Sequence, residues 1–230
     1  MGERRMILDA RLSALADLVG ICDCCADIGC DHGRLSAYLL QSGRVCRAIL
    51  TDISEDSLKK ARQLIGLLGL NERVEFCVGD GAKALTKPVD CAVIAGMGGT
   101  LIAKIVREGR GCLGSSRLIL QPNVAAPELR RALMELHYQI TDERVLQDGG
   151  RNYVVIAAEP GQAAYDERAL IVGPVLLKKM PESLAPYAAF RLKVAQKALE
   201  GAKRGEDAAQ IALLNREIAI WEEVWACLRG

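Results

Sequence analysis

Five apolar runs of strand length are strung along the first half of the chain: CCADIG, RAILTDI, VEFCVGD, CAVIAG and RLILQPN. Helical periodicity fills most of the gaps, over residues 34–42, 54–69, about 99–110 and 126–136. Strands that recur at this interval with helices between them predict a parallel sheet covered on both faces. The runs are apolar almost throughout, as strands buried on both sides must be. The pattern then changes. YQITDERVLQ and NYVVIAAE are separated only by DGGR, too short for a crossover helix, so residues 138–158 should form an antiparallel hairpin that closes the sheet. An amphipathic helix is predicted over residues 4–19, ahead of the first strand. After Pro160-Gly161 strand-like runs disappear, and two helical stretches meet around Gly205. The expected organisation is a doubly wound domain over 1–160 and a helical appendage over 161–230.

The stretch CDCCADIGCDHGRL, from Cys22 to Leu35, holds four cysteines, three aspartates and a histidine. Two readings compete, a metal cluster and the first turn of a ligand-binding fold. On a strand, side chains alternate between faces, so Cys22 and Cys24 should point one way and Cys25 the other, and the three should not converge on a metal. Small buried hydrophobes are the simpler account of these thiols. Nine cysteines scattered through apolar segments suit a chain kept reduced in the cytoplasm. No apolar run approaches the ~20 residues of a membrane span, and the charged N-terminus is unlike a signal peptide.

Read as strand, turn and helix, the same stretch carries Asp27, Gly29 and Gly33, without the G-x-G-x-x-G dinucleotide fingerprint. Glycines there admit a ligand to the backbone, and a carboxylate so placed suits a cation better than a pyrophosphate. S-adenosylmethionine carries both a sulfonium and an ammonium group. Three more strand ends add to the signal. AILTD ends in Asp52, where an acid can hold ribose hydroxyls; EFCVGDG ends in Asp80 and Gly81; AVIAGMGG opens a glycine-rich loop. Ligands of open α/β sheets bind beyond the carboxyl ends of the strands, so these positions form one constellation.

DIGCDHGRL, GDG, IAGMGG and LILQPN together resemble the bacterial tRNA (adenine-22-N1)-methyltransferase family, densely from residue 4 to about 161 and more loosely beyond. The resemblance implies a Rossmann-like, S-adenosylmethionine-dependent methyltransferase with an antiparallel last strand and a coiled-coil-like C-terminal appendage. It implies that Asp27, Gly29, His32 and Gly33 line the methionine and ribose side of the cofactor, that Asp52 and Ile53 hold the ribose and flank the adenine, that Asp80 and Gly81 take the adenine edge, and that Ala95, Gly96, Met97 and Gly98 close the pocket near the transferring methyl. Cys30 stands where the family favours threonine or another small residue.

Candidates for steadying the reacting adenine are Asp31, Gln121 and Asn123; Asp31 has an alternative as a helix cap. The formal net charge is only +1, so binding of tRNA would need a local basic face. Arg4, Arg5 and Arg11 on the first helix and Lys193, Lys197 and Lys203 in the appendage are the candidates. Two antiparallel helices pairing opposite charges would explain the appendage equally well. The alternatives in function are a methyltransferase acting on another RNA, a small molecule or a protein, and a non-catalytic Rossmann-like binding module. No metal and no membrane are expected as partners, and a monomer is the simplest state.

Overall fold

The computed structural model describes residues 6–229; Arg4 and Arg5 lie outside the described residues. A short helix, α1 (Ala10–Val19), precedes an alternating series: β1 (Cys22–Ile28), α2 (Arg34–Gln41), β2 (Val45–Asp52), α3 (Glu55–Leu67), β3 (Val74–Val78), β4 (Cys91–Met97), α4 (Gly99–Glu108), α5 (Arg110–Leu113), β5 (Arg117–Pro122) and α6 (Ala126–Glu135). The hairpin follows as β6 (Tyr138–Asp148) and β7 (Arg151–Pro160), turning at Gly149-Gly150. Four helices end the chain: α7 (Glu167–Val172), α8 (Pro174–Lys179), α9 (Leu184–Arg204) and α10 (Ala208–Cys227). The strands form one seven-stranded sheet in the order β3-β2-β1-β4-β5-β7-β6. Neighbours from β3 to β5 pair in parallel, and β7 runs antiparallel to both β5 and β6.

The helix expected from residue 4 starts only at Ala10. The Asp9 carboxylate accepts from the Leu12 amide at 2.8 Å and caps it there.

Two hydrophobic layers sandwich the sheet. Alternate strand residues such as Cys25, Leu50 and Val93 face α1, α2 and α3, while Ile28, Ile94 and Leu120 face α4 and α6. Cys22 departs from the expected alternation: it packs on the Cys25 side, and Cys24 alone faces the other layer. The β1–β4 ladder begins only at Cys25, so the first strand residue is held on one edge and can turn. All nine cysteines are free thiols. Among the described residues no cluster of three or more ligand-type side chains is set to hold a metal, and no helix is long and apolar enough to cross a membrane.

The C-terminal helices are rooted in the second layer. Val172, Leu176, Leu184, Tyr187, Leu192, Trp221 and Val224 are buried in one cluster with α4, α6 and the sheet. A buried ion pair staples this root. Arg130 of α6 donates to Glu143 of β6 at 2.8 Å and to the carbonyls of Leu170 and Ile171 at 2.8 and 3.0 Å. Glu143 also accepts from the Val175 amide at 3.0 Å, where α8 begins. Gly173 sits between them with φ +120°, and a Cβ there would lie 2.5 Å from a Glu143 carboxylate oxygen.

Candidate active site

The carboxyl ends of β1, β2, β3 and β4 open into a cavity of about 610 Å³. That volume suits a cofactor-sized ligand. Its walls include Asp27, Gly29, Asp31, His32, Asp52, Ile53, Asp80, Gly81, Ala95, Gly96 and Met97, so most of the residues singled out in the sequence do come together.

The β1 turn is stitched to β2: the Gly29 and Cys30 amides both donate to the Thr51 carbonyl, at 2.8 and 3.1 Å. Gly29 has φ +74°, a conformation that strains any residue with a side chain, and a Cβ there would also push the Met97 methyl aside. Asp27, behind the turn, is 8 % exposed, and Ser36 Oγ donates to its carboxylate at 2.7 Å. Burial pushes the Asp27 carboxyl from 3.8 up to about 6; the Ser36 hydrogen bond opposes this, and the nearby charges of Asp52 and Asp31 add to it. A partly desolvated carboxylate among two others calls for a cation. Thr51 also lines the cavity, and its buried hydroxyl has no hydrogen-bond partner among the described residues.

Asp52 accepts from the Ser54 amide at 2.9 Å and from the Asp31 amide at 3.3 Å, which fixes its side chain against the β1 turn. Ile53 stands at the rim with 76 % of its surface exposed, an apolar ledge against which a flat ring can rest. Asp80, just before the short 3-10 turn Gly81–Ala84, makes no side-chain capping hydrogen bond to it. Asp31 adopts φ +49° and is exposed, 3.5 Å from His32 Nε2. The N-cap of α2 is Gly33 with no side-chain cap, so Asp31 does not serve as the cap that the sequence offered as its alternative role.

Four of the expected residues lie behind the wall. A Cβ on Gly33 would meet Ala61 and Leu50, so it serves helix packing under the turn. Gly98 starts α4 beside Val124. Gln121 is fully buried and donates to Asn123 Oδ1 at 3.0 Å, and Asn123 Nδ2 donates to the Gly96 carbonyl at 2.7 Å. The β5 end thereby braces the glycine-rich loop from behind, helped by the Asn123 amide on Met97 O and the Gly99 amide on Val124 O, both 2.8 Å.

The wall from α1 was not foreseen. Arg11, Leu12 and Leu15 line the cavity. The sequence offered Arg11 as a phosphate contact, but its guanidinium turns inward and donates to Gln121 Oε1 at 3.0 Å. The amphipathic pattern showed a buried face on α1 without saying which part of the sheet it would cover. Lys193, Lys197 and Lys203 are exposed on α9, and no described ion pair engages them. The α9–α10 charge pairing that does form, Arg191–Glu217 at 2.7 Å, uses a different cation.

Comparison with known proteins agrees with this geometry. The family model described as tRNA (adenine(22)-N(1))-methyltransferase matches residues 25–223. The Bacillus subtilis (strain 168) tRNA (adenine(22)-N(1))-methyltransferase is 37% identical over 180 residues, which span 75% of this chain and 76% of the relative. The crystal structure of the B. subtilis m1A22 tRNA methyltransferase superposes with a TM-score of 0.86 at 29% identity, covering 96% of this chain and 99% of that one. A Streptococcus pneumoniae protein crystallised in complex with S-adenosyl-L-methionine superposes equally well, with a TM-score of 0.86 and 29% identity over 95% of this chain and 100% of that chain. With the sheet, the cavity and the sequence in agreement over most of its length, the chain belongs to the tRNA (adenine(22)-N(1))-methyltransferase family.

Proposed function

We propose that the protein transfers the methyl group of S-adenosylmethionine to N1 of adenosine 22 in tRNA. The observation that carries this reading is the cavity itself: a glycine turn, a buried carboxylate and two further acids at successive strand ends, in a chain that matches the family from residue 25 to 223. The cavity fits the cofactor. Asp27, raised to about 6 by burial, gains from a cationic ligand, and the orphan Thr51 hydroxyl gains a partner. In this reading Asp27, Gly29 and His32 hold the methionine and ribose side. Asp52 takes the ribose hydroxyls, Ile53 flanks the adenine ring, and Asp80 with Gly81 takes the adenine edge. Ala95, Gly96 and Met97 bound the place where the reacting groups meet.

When bound, S-adenosylmethionine supplies an electrophilic methyl on a sulfonium. Adenine N1 has a free lone pair at neutral pH, so the chain need not supply a general base. Its residues have to hold N1 in line, exclude water and offer acceptors to the exocyclic amino group as positive charge grows on the ring. In this reading Asp31 at the cavity mouth, the Gly96 carbonyl and the Gln121–Asn123 pair behind it take these roles, supported by Asp31 and Gly96 lining the cavity and by the hydrogen bonds that tie the pair to Gly96. N1 lies on the pairing edge, so the base must enter unpaired or flipped out.

We divide the labour of the chain at residue 160, with cofactor and chemistry before it and tRNA binding in the helices after it. Support comes from the free exposed lysines Lys193, Lys197 and Lys203. The cytoplasm, where tRNA is modified and thiols stay reduced, is its expected place. Thermal unfolding with cofactors tests the site. S-adenosylmethionine should raise the melting temperature by mass action and NAD should not; equal shifts with both would overturn the assignment of the cavity.

A further inference from the structure

We propose that Arg11 is a positioning residue for methyl transfer, because its guanidinium anchors the buried end of a chain of amides that ends at the glycine-rich loop. This rests on the adenine-N1 reading above. Arg11 lies in the first turn of α1. Its amide donates to Asp148 at 3.4 Å, and its guanidinium lies 5.9 Å from the centroid of the Tyr153 ring. Nη1 donates to Gln121 Oε1 at 3.0 Å and stands 3.9 Å from where a Cβ of Gly96 would be.

A guanidinium can only donate. Gln121, fully buried, must therefore present its oxygen to Arg11 and its amino group onward. That amino group donates to Asn123 Oδ1 at 3.0 Å, which leaves Asn123 Nδ2 to donate to the Gly96 carbonyl at 2.7 Å. Turning over Gln121 would set donor against donor at Arg11 in a buried place, which is costly, and turning over Asn123 would set its oxygen against the Gly96 carbonyl. The guanidinium, which only donates, and the Gly96 carbonyl, which only accepts, thus hold the series in one sense from its two ends. At its far end, Asn123 Oδ1 and the Gly96 carbonyl each keep a second lone pair. Gly96 lines the cavity with Asn123 directly behind it, so both acceptors bear on the place where an exocyclic amino group, with two hydrogens to give, would arrive. Without the guanidinium, Gln121 Oε1 is left buried without its donor, the amide series loses its anchor, and the two acceptors lose their fixed places.

Gln121→Glu separates polarity from mere tethering. The carboxylate keeps, and strengthens, the link to Arg11, so α1 stays anchored. It has no hydrogen for Asn123 Oδ1, so Asn123 must turn over to donate to it, and the acceptor side is lost. The measurement is steady-state methylation of tRNA together with S-adenosylmethionine affinity and melting temperature. Gln121→Glu and Arg11→Met should both lower kcat on the order of 10²-fold, as small misplacements of reacting groups do. Their KM for S-adenosylmethionine should stay near that of the unmodified protein, and Arg11→Lys, still only a donor, should recover part of kcat. Full turnover by Gln121→Glu would overturn the proposal. So would a loss in Arg11→Met that merely tracks the fraction of protein folded. If the unmodified protein forms no N1-methyladenosine, the functional reading itself fails, and this proposal with it.

Discussion

Asp27 is the residue at which stability and function conflict. Its carboxyl rises from 3.8 to about 6 in the fold, so between those values the native state holds a proton that the unfolded chain releases. The native state is therefore favoured as pH falls toward 4 and loses that advantage as pH rises through 6. At neutral pH the buried charge costs roughly 3 kcal/mol. Asp27→Asn, which keeps an oxygen for Ser36, should stabilise the ligand-free protein at pH 7 and remove this pH dependence, while weakening the thermal shift with S-adenosylmethionine. Denaturant unfolding at pH 5 and pH 7 reads both changes; a less stable variant at pH 7 would contradict the account. Asp52→Ala should weaken cofactor binding by about 1–3 kcal/mol through loss of charged hydrogen bonds, measurable by calorimetry. These acids were legible in the sequence because acids and glycines mark strand ends. Gln121 and Asn123 were legible as a motif, but their place behind Gly96 was not, since a β-strand end does not say which loop it braces.

At the scale of elements, the alternation of apolar runs and helical periods disclosed the sheet and its antiparallel last strand. It could not disclose where α1 docks. A helix of 10 residues with one buried face can cover several parts of a sheet, and only the tertiary contacts of Arg11, Leu12 and Leu15 place it over the cavity. The α7–α8 corner was hidden for a related reason. It depends on Arg130 and Glu143, 13 residues apart and both essentially fully buried, where charged residues in the sequence read as surface. Glu143→Ala should destabilise the protein by about 3–5 kcal/mol, because it leaves Arg130 charged and buried without its carboxylate. Replacing both partners with apolar residues should recover much of that loss. Equal destabilisation by the single and double variants would show that packing, not the uncompensated charge, is responsible. On α9, reversing Lys193, Lys197 and Lys203 together should weaken tRNA binding and flatten its dependence on salt; an unchanged salt slope would leave these lysines a solvated face.

Across the whole molecule, the C-terminal helices are joined to the catalytic sheet by one continuous hydrophobic layer. Cutting the chain at residue 161 would strip Val172, Leu176, Leu184, Tyr187 and Trp221 from that layer and remove the backbone partners of Arg130 and Glu143. The separable part is the outer end of the α9–α10 hairpin. Replacing residues 197–213 with a short turn should leave the cofactor's thermal shift intact and abolish tRNA methylation. The account as a whole rests on one product. The protein should be incubated with S-adenosylmethionine and a tRNA transcript carrying adenosine at position 22, and with the same transcript carrying guanosine there, and each digested to nucleosides for mass spectrometry. The account predicts N1-methyladenosine from the first transcript and no methylated nucleoside from the second. N6-methyladenosine formed directly, a methylated guanosine, or equal methylation of both transcripts would contradict it.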